Sequence, residues 1–407
     1  MAINKEQNKL NVPHLRFPEF QGEWEKCKLG DIATLTKGSG ISKDQRSATG
    51  TPCILYGELY TTYKSEVINY VVSKTDISDK NLVRSCANDI IIPSSGETAI
   101  DISTARCVLS PDVLLGGDLN IIRLKDGDGR FFSYQLNGVR KHDIAKIAQG
   151  VSVVHLYGES IKGLTVSFPS NKEQQKISTL LSLIDERIAT QSKLIEKLES
   201  LIKGLNDSLY AQYGGKVLTS FAELGTSYSG LSGKSAQDFG SGKPFITYLN
   251  VYSNNVINEN EFQYVAIKDD EKQNVAEYGD VLFTLSSETP REVGIGSVYL
   301  GKEKVYLNSF CFGIHITNAE IAFPPYLSYY VSSTPFRKFV YPYAQGSTRF
   351  NLCKADFEKA SIKLPTLENQ KRIYSILSHI DNKIITERQM LDLYNSQKQY
   401  LLRQMFI

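Results

Sequence analysis

From Glu173 onward the apolar residues fall at Ile177, Leu181, Ile184, Ile188, Ile195, Leu198, Ile202, Leu205 and Leu209, in steps of four and three. A stripe with this period is the a/d seam of a coiled coil, and only Gln191 interrupts it. The pattern returns as Ile373, Leu377, Ile380, Ile384, Leu391, Tyr394, Leu401 and Met405, with Glu387 and Lys398 as its polar members. Gln191 and Glu387 hold the same place in the two seams, where a polar group weakens packing but can pin register. The spacing predicts two long helices, over 171–213 and 367–407. A seam of about 37 residues would span roughly 55 Å at the helical rise. A whole domain separates the two in sequence, so we expect them to pair antiparallel within one chain; the plainer alternative is that they dimerise the protein. Lys398 takes the place of Ile202 and marks an end that is either looser or turned toward a partner subunit.

The helices belong to a longer repeat. Ala148-Gln149-Gly150 recurs as Ala344-Gln345-Gly346, and Leu156, Pro169, Gln174 and Asp185 align with Leu352, Pro365, Gln370 and Asp381. A fainter echo runs from Asn88-Asp89 through Thr98 and from Gly279-Asp280 through Thr289. Ahead of each helix lie short β-rich runs, such as 53–56, 89–92, 119–124, 245–248, 280–284 and 311–316, interrupted by helical stretches at 133–139 and 326–332. Tyr213-Gly214-Gly215 stops the first helix. The expected fold is α+β: two pseudo-repeated globular α/β domains, 1–170 and 214–366, joined by two long antiparallel coiled-coil helices.

Composition narrows the class without choosing a function. At 407 residues the chain exceeds one comfortable core. No apolar run approaches the roughly 20 residues of a membrane span, and Met1–Gln7 lacks a signal-peptide core, so a cytoplasmic location is expected. The six cysteines are scattered with no CxxC pair, which argues for buried free thiols. A net charge of +2 neither requires nor forbids a nucleic-acid partner. Of the 23 tyrosines, against one tryptophan, Tyr56, Tyr60, Tyr63, Tyr248, Tyr252, Tyr341 and Tyr343 lie beside Lys, Arg, Asn and Ser in loop-like contexts. The mixture suits a nucleic-acid surface, although ordinary packing is the expectation for most of these rings.

Catalytic motifs fail when tested. Phe323-Pro324-Pro325-Tyr326 has the outline of an adenine-methyltransferase motif, but Phe323 lacks the amide or carboxylate that would hold an exocyclic amine. The prolines read instead as a helix start. Gly233-Lys234-Ser235 ends like a phosphate loop, yet Tyr228 stands where its first glycine must be. The five histidines show no metal-ligand spacing. No catalytic, metal or cofactor site is expected in this chain.

Leu15-Arg16-Phe17-Pro18-Glu19-Phe20, then Trp24 and Lys28-Leu29-Gly30-Asp31-Ile32, resembles the N-terminus of specificity subunits of type I restriction-modification systems. The Ala-Gln-Gly loops, Pro169 and Pro365, and the helix openings Glu173-Gln174-Gln175-Lys176-Ile177 and Glu368-Asn369-Gln370-Lys371-Arg372-Ile373 are similar to the same family in the same order. The resemblance implies two target-recognition domains, each reading one half of a bipartite site in double-stranded DNA, with the helices as a ruler for the spacer. It implies two modification subunits, which carry SAM and methylate adenine, and restriction subunits, which use ATP and Mg. The chain itself would recognise and assemble, bind no cofactor and catalyse nothing. The rival class is a coiled-coil scaffold with duplicated protein-binding domains.

DNA readers are sought among loop residues whose donors reach base edges or phosphates. In the first half these are Lys37, Ser39, Lys43, Arg46, Tyr56, Ser94, Ser95, Arg106, Gln149 and Ser152; in the second, Ser229, Lys234, Tyr248, Asn250, Ser286, Arg291, Gln345, Ser347, Thr348 and Arg349. The glycine loop of the second copy offers amide, hydroxyl and guanidinium together, whereas the first has no arginine there. The halves should therefore read different sequences. Glu97 and Glu288 could accept from cytosine amines, but we expect them to orient a neighbouring Arg or Lys.

Overall fold

A computed structural model describes residues 10–78 and 81–407; residues 1–9, which carry the reading of the N-terminus, lie outside the described residues. The chain divides into two compact units. One takes the chain as far as Ser192 and then Gln389–Ile407, and the other is Lys193–Arg388. The two long helices, α1 (Asn171–Tyr213, 43 residues) and α2 (Leu367–Gln404, 38 residues), are thus each shared between units.

The first unit is built on a five-stranded sheet in the order Ala33–Lys37, Leu119–Leu124, Asp89–Pro93, Arg106–Val108, Val67–Ile68. Its central strand, Asp-Ile-Ile-Ile-Pro, is buried on both faces, which explains its unbroken β-branched run. The buried Asp89 is answered by Arg123, whose Nε and Nη2 donate at 2.8 and 2.7 Å. The second unit repeats the plan with Gly225–Ser229, Cys311–Ile316, Val281–Thr284 and Gly296–Val298, and a parallel bridge from Val256 to Val298 takes the place of the fifth strand. There Asp280 accepts from Tyr228 at 2.6 Å and lies 2.9 Å from His315 Nδ1. Burial pushes the Asp280 carboxyl up, against the pull of Tyr228 and His315.

Each long helix packs as the seam predicts. In the first unit Ile177, Leu181 and Ile184 of α1 share one core with Leu401 and Leu402 of α2, with Met405 and Phe406 just beyond its end, and with Trp24, Phe131 and Phe132. In the second, Leu209 of α1 joins Ile373 and Leu377 of α2 beneath Phe221, Phe283, Phe336 and Phe357. Within each unit the two segments run antiparallel.

The glutamine that recurs at the helix openings is a clamp. Gln174 donates to Pro169 O at 2.8 Å and accepts from Asp128 N at 3.0 Å. Gln370 does the same with Pro365 O at 2.9 Å and Phe323 N at 2.8 Å. Each amide joins the start of a long helix to the start of the short helix beside it, Gly129–Asn137 or Pro324–Tyr330. Pro324 and Pro325 do open the latter. The N-terminal motif is a strap, because Arg16 holds Glu173 with two bonds of 2.8 Å.

The seam end at Lys398 is not loose. Its ammonium is buried in the first unit between Glu66 and Asp185, so the expectation of a looser end fails for an electrostatic reason.

Candidate nucleic-acid interface

In the second unit the glycine loop is a tight hairpin. Ala344–Gln345 pairs with Phe350–Leu352, and the other edge of that strand receives Ser286–Ser287, with Asn351 opposite both Gln345 and Ser286. Gly346 closes the turn at φ +137°, where a Cβ would strike the carbonyl oxygen of Arg349. Gln345, Ser347, Thr348 and Arg349 are consequently displayed together at an exposed tip. Arg349 lies over the ring of Phe310 at 5.7 Å, and that ring is 54% exposed.

The neighbouring aromatic pair is fixed from below. Tyr248 donates to Ser286 O at 2.8 Å and stacks on Tyr252 with centroids 6.0 Å apart. Tyr252 in turn donates to Glu292 at 2.8 Å, and Glu292 also accepts from the hydroxyls of Ser287 and Thr289. One carboxylate therefore ties the 287–292 segment to the helix carrying both tyrosines. Ser229 is exposed at the end of its edge strand, opposite Phe312.

The first unit builds the same frame with other side chains. Gln149 bridges to His155, and Val154–His155 pairs with Ser95–Gly96. Gly150, at φ +122°, approaches Val153 O as Gly346 approaches Arg349 O, and leaves Gln149 and Ser152 exposed. Beside this hairpin is a groove of about 780 Å³ whose lining includes Lys43, Arg46, Tyr56, Glu58 and Asp118. Arg46 lies 3.7 Å from Glu58, whose buried carboxylate also accepts from Leu55 N and the Ser73 hydroxyl. Lys37 is exposed at the end of its strand, while Ser39 is half-buried with Oγ accepting from Val83 N at 2.7 Å.

Several expected readers are engaged inside the fold instead. Arg106 is buried, donating to Leu59 O at 3.0 Å and Tyr63 O at 2.9 Å, so its guanidinium organises the turn at 59–63. The side chain of Asn250, fully buried, donates to Asn258 O and accepts from Asn258 N. Ser94 and Ser286 are buried. Lys234 is covered and held by Ala266 O and Glu271, and this ammonium, with Gln273, keeps the Glu271 carboxyl at about 2. Arg291 is exposed, but it lies on a separate cavity. Glu97 and Glu288 form no ion pair among the described residues, so neither orients a cation as expected.

Sequence reasoning missed Phe310 and Asp118. They occupy one backbone position of the repeat: Leu285 N donates to Phe310 O at 2.9 Å, and Ser94 N donates to Asp118 O at 2.7 Å. An aromatic ring in Asn-Ser-Phe-Cys-Phe reads as core, and only the duplicated strand register reveals it as a loop-tip residue.

Two loop clusters of this kind, on duplicated frames with dissimilar tips, are matched by the type I restriction modification DNA specificity domain over residues 21–200 and again over 226–393. The chain belongs to that family. Its relatives include a provisionally named type I restriction enzyme MjaX specificity subunit of Methanocaldococcus jannaschii, 25% identical over 95% of this chain and 93% of that protein. The MjaVIII specificity subunit of the same organism is 25% identical over 52% of this chain and 47% of its own length. Among solved structures, the S subunit of a type I restriction-modification system from M. genitalium covers 97% of this chain and 99% of its own, with a TM-score of 0.58 at 18% identity. A chain from a study of complex assembly and conformational transition in the type I system matches with a TM-score of 0.58 at 15% identity, covering 96% of this chain and 98% of its own. At such identities the likeness establishes the fold.

Proposed function

We propose that the chain is the DNA-recognition subunit of a type I restriction-modification complex. Each unit reads one half of a bipartite, asymmetric site in double-stranded DNA, and the paired helices set the spacer between the halves. The observation that carries this reading is the duplicated loop cluster. One backbone frame presents Gln149, Ser152 and Asp118 in the first unit and Gln345, Arg349 and Phe310 in the second. Identical frames with different donors and apolar groups suit one docking geometry applied to two base sequences.

The helices also carry exposed apolar residues off their seams. Leu183 and Leu393 are 53% and 64% exposed in the first unit, and Leu201 and Ile385 are 52% and 53% exposed in the second. Such residues suit the docking of two modification subunits, on which restriction subunits assemble. In this reading SAM, ATP and Mg belong to those partners, the chain catalyses nothing, and the complex works in the cytoplasm. Methylome sequencing of a host carrying this chain with its cognate partners tests it. Methylated adenines in two fixed half-sites at one separation are expected; a single uninterrupted site, or no methylation dependent on this chain, would refute it.

A further inference from the structure

The second unit contains a cavity of about 600 Å³ with four cationic side chains in its lining, Lys203, Arg291, Arg337 and Lys338. Every other lining residue, Ser332 and Thr334 among them, carries a hydroxyl, and none is a carboxylate. Arg337 is the fixed element. Its guanidinium donates to Gly294 O, to Arg291 O at 2.8 Å and to Val293 O at 2.7 Å, so it is oriented wholly by carbonyls. Burial pushes its pKa down. Among the described residues none of the four cations takes part in an ion pair. Lys203 and Ser332 also line a neighbouring cavity with three acids, each engaged elsewhere: Asp207 accepts from Thr334 N at 3.0 Å, Glu199 pairs with Arg388, and Asp381 accepts from the Tyr329 hydroxyl.

Four positive groups around one cavity, with hydroxyl donors and no counter-ion, make a site for a compact polyoxo anion. We propose that it binds a phosphate group, and that the phosphate belongs to the DNA backbone beside the half-site read by the second unit. The source follows from continuity. Arg291 stands one residue before Glu292, the carboxylate that holds Ser287, Thr289 and Tyr252 in the loop cluster. DNA lying on that cluster therefore brings its backbone to Arg291. The first unit has no equivalent, since its corresponding positions are Gln399, Ile100, Lys141 and His142. The contact is consequently one-sided.

This inference rests on the DNA-reading proposal, and the test separates the two. The assembled complex is titrated with duplexes carrying a single neutral methylphosphonate, placed in turn along both strands outside each half-site. One position beside the second half-site should weaken binding by about tenfold, with no counterpart beside the first. In the complex bearing Lys203→Gln, Arg291→Gln and Lys338→Gln, Arg337 being left in place to hold the 291–294 turn, that sensitivity should vanish. The slope of log affinity against log salt should also fall by about 0.9 for the phosphate lost, with sequence preference unchanged. Persistence of the sensitive position in the triple variant, or sequence-selective binding with no sensitive position at all, would overturn the cavity's role alone. Absence of any sequence-selective binding would instead overturn the recognition proposal. Inorganic phosphate and ATP are titrated without DNA as a second arm. Saturable binding of either that the triple variant loses would assign the site to a free anion and overturn the backbone assignment.

Discussion

Lys398 Nζ lies 2.6 Å from Asp185 Oδ1, and the same ammonium reaches Glu66. Asp185 also accepts from Tyr134 and Ser65, at 2.7 and 2.8 Å, so the lysine at the end of α2 closes a buried network inside the first unit. Burial alone would lower its pKa, but the two carboxylates outweigh this and hold the ammonium above the ordinary lysine value. The second repeat places Ile202 and Asp381 where the first has Lys398 and Asp185.

Replacing Lys398 by Met removes the ammonium that directly pairs Glu66 and Asp185 and leaves these buried carboxylates only the more distant charge of Arg106. We expect a loss of about 3–5 kcal/mol of stability, the usual cost of removing one partner from a buried pair. Adding Glu66→Gln and Asp185→Asn should restore most of it. Because the folded-state pKa is raised, the lysine's contribution is full below the ordinary lysine range and disappears only as pH climbs through the raised value. Calorimetry between pH 6 and 9 should therefore show a constant gap between wild type and Lys398→Met; a gap that closes within that window would exclude the ion cluster as its cause.

The helices and the two-unit plan were legible in the chain because both rest on periodicity and repetition. Ile177, Leu181 and Ile184 enter the core as their spacing predicts. Burial of single polar residues was not legible. Arg106 and Asn250 stand among loop-like neighbours, and nothing local tells a guanidinium that will meet Leu59 O and Tyr63 O from one that will meet solvent. Lys398 was misread for the same reason, since its partners lie at positions 66 and 185. The hairpin tips were legible because Ala-Gln-Gly occurs twice and glycine at a positive φ leaves its followers exposed.

Arg349→Ala and Arg106→Ala should fail differently. Arg349 is exposed at the hairpin tip over Phe310, so its loss should relax one position of one half-site by about 1–3 kcal/mol and leave thermal stability unchanged. Arg106 is internal, so its loss should lower the melting temperature without changing which bases are preferred. Competition binding with single-base-substituted duplexes, beside melts of both variants, checks the pair. Arg349→Ala melting like Arg106→Ala, or keeping full selectivity, would remove it from the reading surface.

Asp381 accepts from the Tyr329 hydroxyl, and burial raises its pKa despite that bond and the pull of Arg388. A raised carboxyl favours folding while protonated, and that contribution is lost as pH rises through the folded value. Asp381→Asn should accordingly melt a few degrees higher than wild type at pH 7.5, with the difference shrinking toward pH 4. Equal melting at pH 7.5, or a gap that widens on acidification, would show that the Tyr329 bond outweighs the burial cost.

If the helices measure the spacer, their length should be read out in base pairs. Four residues inserted after Gln191 in α1, and four after Glu387 in α2, make a stutter in each seam, which shifts the a/d phase by about 50° and locally unwinds the pair, and add about 6 Å of helix. At 3.4 Å per base step this corresponds to about two base pairs. The preferred spacer should lengthen by roughly that amount while both half-sites stay the same, because the loop clusters at 149–155 and 345–351 are untouched. Methylome sequencing of a host carrying the lengthened chain decides it. An unchanged spacer would mean that something other than the helices sets the distance, and altered half-sites would mean that the insertion had disturbed the recognition loops themselves.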